Sequence, residues 1–114
     1  MDNRRAHKRY EAEVSAELEI DGDVWMGETR DVSNGGAKVQ LDGSVEEGSS
    51  VALTLILMED GIEDPDQDPF ETAATVMWAA PTDDGGAMVG LRFGDMQRDQ
   101  ADRLTRFLSA LARA

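Results

Sequence analysis

Residues 11–22 read EAEVSAELEIDG, and this stretch decides the fold class. Its first ten positions alternate strictly between polar and apolar or small residues, which is the period of a β-strand with one buried face. Asp21-Gly22 follows directly and is a turn signal of the kind that joins two antiparallel strands. The stretch therefore predicts a β-hairpin.

Later segments continue the strand pattern and are separated by turn-forming residues. We predict further strands over residues 24–32, 37–41, 51–58, 72–80 and 89–93. Residues 51–58 are apolar at nearly every position, which predicts a strand covered on both faces or one whose outer face meets another element. Residues 59–69 form an acidic loop with two prolines.

The C-terminal residues follow a helical period instead. From about Gln97 onward, apolar residues recur at positions i, i+3, i+4 and i+7, namely Leu104, Phe107, Leu108 and Leu111. We expect this face to dock the helix on the strands. Together these elements predict a mainly all-β fold, a six-stranded antiparallel β-barrel with a C-terminal α-helix. We assign residues 1–114 to one domain, with an N-terminal segment 1–10, a barrel 11–94 and a helix 95–114.

Composition restricts the possible partners. The chain carries a net charge of −13, which disfavours binding to duplex DNA or anionic lipid because both derive affinity from neutralised phosphates. It has no cysteine and no apolar run near the roughly 20 residues that a bilayer requires. We therefore expect no membrane insertion and a cytoplasmic location. We also expect either a monomer or a homodimer.

Positive charge is concentrated at the N-terminus, in Arg4, Arg5, Lys8 and Arg9. Arg5 and Arg9 are four positions apart, directly before the first strand. A guanidinium group is planar and permanently charged, so it can hold a phosphate or the O6/N7 edge of guanine with two hydrogen bonds. The alternative is a solvated basic tail.

A second motif, Asp31-Val32-Ser33-Asn34-Gly35-Gly36, ends the second predicted strand. Asp31 and Ser33 are two apart, so their side chains point the same way in extended backbone. A carboxylate there can accept the N1 and N2 hydrogens of guanine, while the serine hydroxyl donates to a phosphate or holds the turn. Gly36 lets the backbone turn or approach a ligand closely. The alternative is an ordinary hairpin turn.

In this order and spacing, the Arg5–Arg9 pair followed by Asp31, Ser33 and Gly36 resembles the PilZ domain family. Two further segments, Val76-Met77-Trp78 and Gly90 to Phe93, together with the terminal helix, extend the resemblance over essentially the whole chain. PilZ domains are six-stranded barrels that act as receptors for the bacterial second messenger cyclic di-GMP, and the resemblance implies that ligand here, with no cofactor and no metal.

The resemblance also implies which residues bind. They are Arg4, Arg5, Arg9, Asp31, Ser33 and Gly36. The arginines would grip guanine edges and phosphates from a flexible N-terminal segment that closes over the ligand, with Arg4 adding stacking or a phosphate contact. The aspartate and serine would fix one guanine, and the glycine would leave room.

Three functions remain open on the sequence. The leading hypothesis is a non-enzymatic cyclic di-GMP receptor that relays binding by ordering its N-terminal segment and changing the surface offered to an unknown protein partner, in motility or biofilm regulation. The rival is a PilZ-like interaction adaptor that docks a pilus, flagellar or regulatory partner without nucleotide. An enzyme is disfavoured, because the sequence shows no paired general acid and base, metal cluster or phosphate loop.

Overall fold

The structure is a computed structural model that describes residues 9–57 and 69–112. In this part of the chain, the strands are β1 Tyr10–Glu11, β2 Ser15–Ile20, β3 Asp23–Val32, β4 Gly36–Leu41, β5 Ser50–Leu55, β6 Phe70–Pro81 and β7 Ala87–Phe93, and the helix is α1 Arg98–Ala112.

The strands form one antiparallel sheet that closes on itself. Their order is β1-β3-β2-β5-β6-β7-β4, and an additional pairing between β3 and β4 closes the ring. Six strands, β2 to β7, make the barrel, while the short β1 adds to β3 at one end. The predicted six-stranded antiparallel barrel with a C-terminal helix is confirmed.

The hairpin between β2 and β3 follows the sequence pattern closely. Asp21 and Gly22 both have positive φ, 53° and 87°, the combination that a two-residue type I′ turn requires. Along β2, Ala16 and Leu18 are buried while Glu17 and Glu19 are exposed. The predicted turn and the predicted inward face are therefore both present.

The predicted first strand is interrupted, which is a correction. Residues 12–14 separate β1 from β2, and the fully buried Thr29 of β3 bridges the gap. Its hydroxyl accepts a hydrogen bond from the Val14 amide at 2.9 Å and donates to the Ala12 carbonyl at 2.5 Å. One side chain thus supplies partners to two backbone groups where the regular pairing fails.

β5 also differs from expectation. Residues 51–58 were predicted to be covered on both faces or capped by another element, but Ala52 is exposed between the buried Val51 and Leu53. An alanine on the outer face costs little in water, because its apolar surface is small. The prediction of double coverage is wrong, and the acidic loop lies outside the described residues except for Pro69.

The helix α1 packs against β6 and β1. Leu104, Phe107 and Leu108 are buried in the same core as the strands, as the helical period predicted. The Gln100 side-chain oxygen accepts a hydrogen bond from the Glu71 amide at 2.9 Å. Among the described residues, no helix has both the length and the apolar character needed to cross a membrane.

The turn between β6 and β7 is closed by a carboxylate. Asp84 accepts hydrogen bonds from the Thr82 hydroxyl at 2.5 Å and from the Gly86 amide at 3.1 Å. These two bonds favour the ionised form, so they lower the pKa of Asp84 below its ordinary value. The carboxylate therefore fastens this turn.

Candidate ligand-binding site

A bulge in β3 builds the candidate site. The register between β3 and β4 shifts between Thr29 and Asp31, so one extra residue, Arg30, is inserted there. Thr29 and Val32 point into the core and are fully buried, whereas Arg30 and Asp31 are consecutive and both line a groove on the outside of the barrel. The bulge therefore places two oppositely charged side chains beside each other.

The groove has a volume of about 500 Å³, within the roughly 300–1,000 Å³ typical of small-molecule sites. It lies where β1, β3 and β4 run side by side, since Glu11 pairs with Asp31 and Asp31 pairs with Lys38. Its lining residues are Glu11, Ala12, Glu13, Arg30, Asp31 and Lys38. A polar surface with both signs of charge therefore surrounds the space.

Asp31 is the electrostatic centre of this groove. Arg9 donates from Nη1 to Oδ1 of Asp31 at 2.7 Å, and Nζ of Lys38 lies 3.5 Å from Oδ2. The Asp31 side chain is 16% exposed, so water screens these pairs less than it would on an open surface. The structure thus brings together Arg9 and Asp31, which the sequence placed in two separate motifs.

Ser33 occupies the turn between β3 and β4. Its hydroxyl accepts hydrogen bonds from the Gly35 and Gly36 amides, each at 3.1 Å, and donates one to the Gly36 carbonyl at 3.3 Å. Ser33 is 4% exposed. Two roles were predicted for its hydroxyl, donating to a phosphate and holding the turn, and the structure shows the second. A contact between Ser33 and a ligand stays a prediction.

Gly36 is constrained by the neighbouring strand. A Cβ atom at this position would collide with the backbone carbonyl oxygen of Leu91 in β7. The pairing of Gly36 with Arg92 brings the two backbones together there. The absence of a side chain therefore has a structural cause, and the predicted role of Gly36 in leaving room for a ligand remains untested.

Replacing Gly36 with alanine should lower the free energy of unfolding by about 1–3 kcal/mol, because a Cβ here must push two paired strands apart. Gly90→Ala is the matched control. At Gly90 the obstacle is the indole of Trp78, which is 39% exposed and can swing outward. Urea denaturation compares the two variants, and a loss for Gly36→Ala no larger than that for Gly90→Ala would contradict the argument.

Sequence reasoning missed Arg30 and Lys38. Lys38 was identifiable, since a four-residue turn over 33–36 pairs Val32 with Ala37 and Asp31 with Lys38, as observed. Arg30 was missed because the bulge puts two consecutive residues on the outer face, which a strictly alternating pattern does not allow. The Arg30 guanidinium contacts the Glu13 carboxylate at 3.1 Å and the Gln40 side-chain oxygen at 2.6 Å.

The remaining predicted site residues, Arg4 and Arg5, lie outside the described residues. Within residues 9–57 and 69–112, no group of three His, Cys, Asp or Glu side chains is placed to hold a metal ion. The described part of the site therefore consists of Arg9 and Asp31 with Lys38 and Arg30 beside them, above the turn held by Ser33.

The family model of the PilZ domain matches residues 3–110. The chain belongs to the PilZ domain family. The match spans both arginines of the N-terminal pair and the whole Asp31–Gly36 motif, so the resemblance seen in the sequence is confirmed. No curated protein sequence matches this PilZ domain significantly.

Solved structures share the fold of this PilZ domain. The Bacillus subtilis inhibitor of motility, MotI/DgrA, is 21% identical with a TM-score of 0.77 over 98% of this chain and 51% of its own. The PilZ domain of YcgR from Escherichia coli, solved with c-di-GMP, is 16% identical with a TM-score of 0.76 over 97% of this chain and 93% of its own.

A third structure is the PilZ domain of CeSA from a cellulose-synthesising bacterium. It is 18% identical with a TM-score of 0.63 over 92% of this chain and 98% of its own. The chain therefore spans nearly the whole of these isolated PilZ domains but about half the length of the motility inhibitor.

Proposed function

We propose that this PilZ domain is a non-enzymatic receptor for cyclic di-GMP. The observation that supports it best is the ion pair of Arg9 with Asp31 at 2.7 Å, because Asp31 lines the groove. These residues come from the two motifs that the family uses for its ligand, and they meet on the same surface. The c-di-GMP complex of YcgR, a structure of the same fold, agrees with this choice of ligand.

The chemistry of the groove suits a guanine nucleotide. The Asp31 carboxylate is acceptor-only when ionised, so it matches the N1 and N2 hydrogens on the guanine Watson–Crick edge. Arg9 supplies a forked cation for a phosphate or for the O6/N7 edge. The Asp31 carboxylate can therefore bind the hydrogen-bond donors of guanine, and the neighbouring Arg9 guanidinium can bind the phosphates of the ligand.

The N-terminal segment completes the site in this proposal. Arg5 lies four residues before Arg9, and Arg4 precedes it directly. Arg9 directly precedes β1 and pairs with Asp31, so we expect the arginines before it to reach a ligand in the groove. We expect binding to order residues 1–10 over the groove and to change the surface offered to a protein partner in the cytoplasm.

Such a relay obeys one energetic limit. The ligand favours the closed arrangement only by as much as it binds that arrangement better. The net charge of −13 opposes the approach of a dianion, but screening over about 8 Å at physiological salt makes the local arginines dominant. Affinity is therefore expected to depend strongly on this small cluster of cations.

Titration calorimetry of the full chain with cyclic di-GMP tests the receptor function. We expect a dissociation constant in the micromolar range or tighter, equivalent to about −8 kcal/mol at 1 μM, and no turnover of the nucleotide. An affinity no tighter than about 1 mM, roughly −4 kcal/mol, would end the receptor proposal and leave the adaptor as the surviving function.

A further inference from the structure

The geometry of the groove assigns a function to Lys38. We infer that Lys38 is a positioning residue that holds the Asp31 carboxylate in place for guanine recognition while Arg9 engages the ligand. This inference rests on the proposed function and deepens it, because it names the residue that keeps the guanine acceptor oriented.

Arg9 and Lys38 contact different oxygens of the Asp31 carboxylate. Nη1 of Arg9 contacts Oδ1 of Asp31 at 2.7 Å, whereas Nζ of Lys38 faces Oδ2 at 3.5 Å. Each carboxylate oxygen has about two lone-pair sites. Lys38 can therefore keep one site on Oδ2 while a guanine N–H uses another, so the two contacts are compatible.

Arg9 cannot bond fully to both Asp31 and the ligand at the same time. In the proposed function, Arg9 turns its guanidinium toward a phosphate or a guanine edge, which weakens its bond to Oδ1. Asp31 is then left as a largely buried carboxylate, with 16% of its side chain exposed. A buried charge without a partner is costly, so a second cation has to remain beside it.

The other neighbouring cation, Arg30, is already bound to other side chains. The Arg30 guanidinium is engaged by the carboxylates of Glu13 and Glu28, at 3.1 and 3.5 Å, and by the amide oxygen of Gln40 at 2.6 Å. Within the described part of the chain, Arg9 and Lys38 are the two cations that form ion pairs with Asp31. Lys38 is the one that stays.

The backbone makes Lys38 suited to this role. Lys38 and Asp31 are directly paired residues of β4 and β3, so the distance between their Cα atoms is fixed by the sheet to about 5 Å. Arg9 directly precedes β1 and is not part of a strand. The lysine is thus attached to the rigid scaffold, whereas the arginine belongs to the segment proposed to move.

A double-mutant cycle between Lys38→Met and Asp31→Ala tests the inference, with cyclic di-GMP affinity measured by titration calorimetry. We expect Lys38→Met to weaken binding about five- to tenfold in the native background and less than twofold when Asp31 is already alanine. Lys38→Arg should restore binding to within about threefold, because it returns the charge. Arg106→Met, which removes an exposed cation of α1, is the control for net charge and should stay within twofold.

An analogue with a different base distinguishes a positioning role of Lys38 from a purely structural one, because only the positioning role changes how well the site discriminates between the two bases. The inosine counterpart of cyclic di-GMP retains both phosphates but lacks the 2-amino group that the carboxylate accepts. Its binding penalty relative to cyclic di-GMP should be smaller in Lys38→Met than in the native chain, since a displaced carboxylate no longer reads that group.

Three results would overturn the inference. They are an unchanged affinity in Lys38→Met, an equal loss with and without Asp31, which would make Lys38 an independent phosphate contact, and an unchanged inosine penalty. Lys38→Gln replaces Lys38→Met if thermal unfolding shows that the methionine variant is not folded. Failure of the native chain to bind cyclic di-GMP would instead refute the proposed function, and it is visible before any variant is compared.

Discussion

Thr29→Val should lower the free energy of unfolding by about 2–4 kcal/mol. The hydroxyl of Thr29 is the hydrogen-bond partner of both the Val14 amide and the Ala12 carbonyl, and the residue is fully buried. Valine has nearly the same shape but no polar atom, so both backbone groups lose their partner. The loss is about 1–3 kcal/mol for the buried Val14 amide and about 1 kcal/mol for the Ala12 carbonyl, whose bond is only partly buried. Urea denaturation followed by circular dichroism measures the loss.

Thr29→Ser is the matched control for this prediction. Serine keeps the hydroxyl and loses one methyl group, which costs about 1 kcal/mol or less. The serine variant should therefore be clearly more stable than the valine variant, although it buries less apolar surface. If both variants lose the same stability, the hydroxyl does not bridge the two backbone groups and the account of the break between β1 and β2 is wrong.

Arg9→Ala should weaken cyclic di-GMP binding at least tenfold, which is about 1.4 kcal/mol. Removal of the guanidinium deletes a ligand cation and also leaves Asp31 with Lys38 alone beside it, at 3.5 Å. Asp31→Ala should weaken binding comparably, through loss of the acceptor for the guanine edge. Titration calorimetry at fixed salt compares both variants with the native chain.

Net charge has to be matched in that comparison. Arg106→Ala also removes one positive charge, from an exposed position of α1, and should leave the affinity within about twofold. A loss in Arg106→Ala as large as that in Arg9→Ala would mean that binding follows overall charge instead of the groove. Unchanged binding in both Arg9→Ala and Asp31→Ala would mean that the groove is not where cyclic di-GMP binds.

Periodicity was enough to predict the barrel, because inward residues on each strand are apolar and the turns carry their own residue signals. Asp21-Gly22 is the clearest case. The bulge at Arg30 and the break over 12–14 could not be predicted. The alternation of residues 11–20 continues through the break, and the side chain that bridges it, Thr29, is distant in sequence. At the bulge, two consecutive residues face outward, which a strictly alternating pattern does not allow.

Two of the predicted site residues meet in the structure, and their role in ligand binding stays a prediction. Chemistry and spacing selected Arg9 and Asp31, whose meeting depends on β1 lying beside β3. To predict that Lys38 lies beside Asp31, one has to know how β3 and β4 are paired. The length of the turn in the motif gives that register, whereas the alternation of polar and apolar residues does not. The sequence could not show why position 36 needs a glycine, because Leu91 comes close to it only when the barrel closes.

The pairing of β1 with β3 has a mechanical consequence. Tyr10 and Glu11 join the last two residues of β3, so tension on the N-terminal segment is delivered directly into that strand. β3 is ten residues long, about 30 Å at 3.3 Å per residue, and is bonded to β2 along one part and β4 along another. β3 therefore connects the groove at one end of the strand to the Asp21-Gly22 turn at the other.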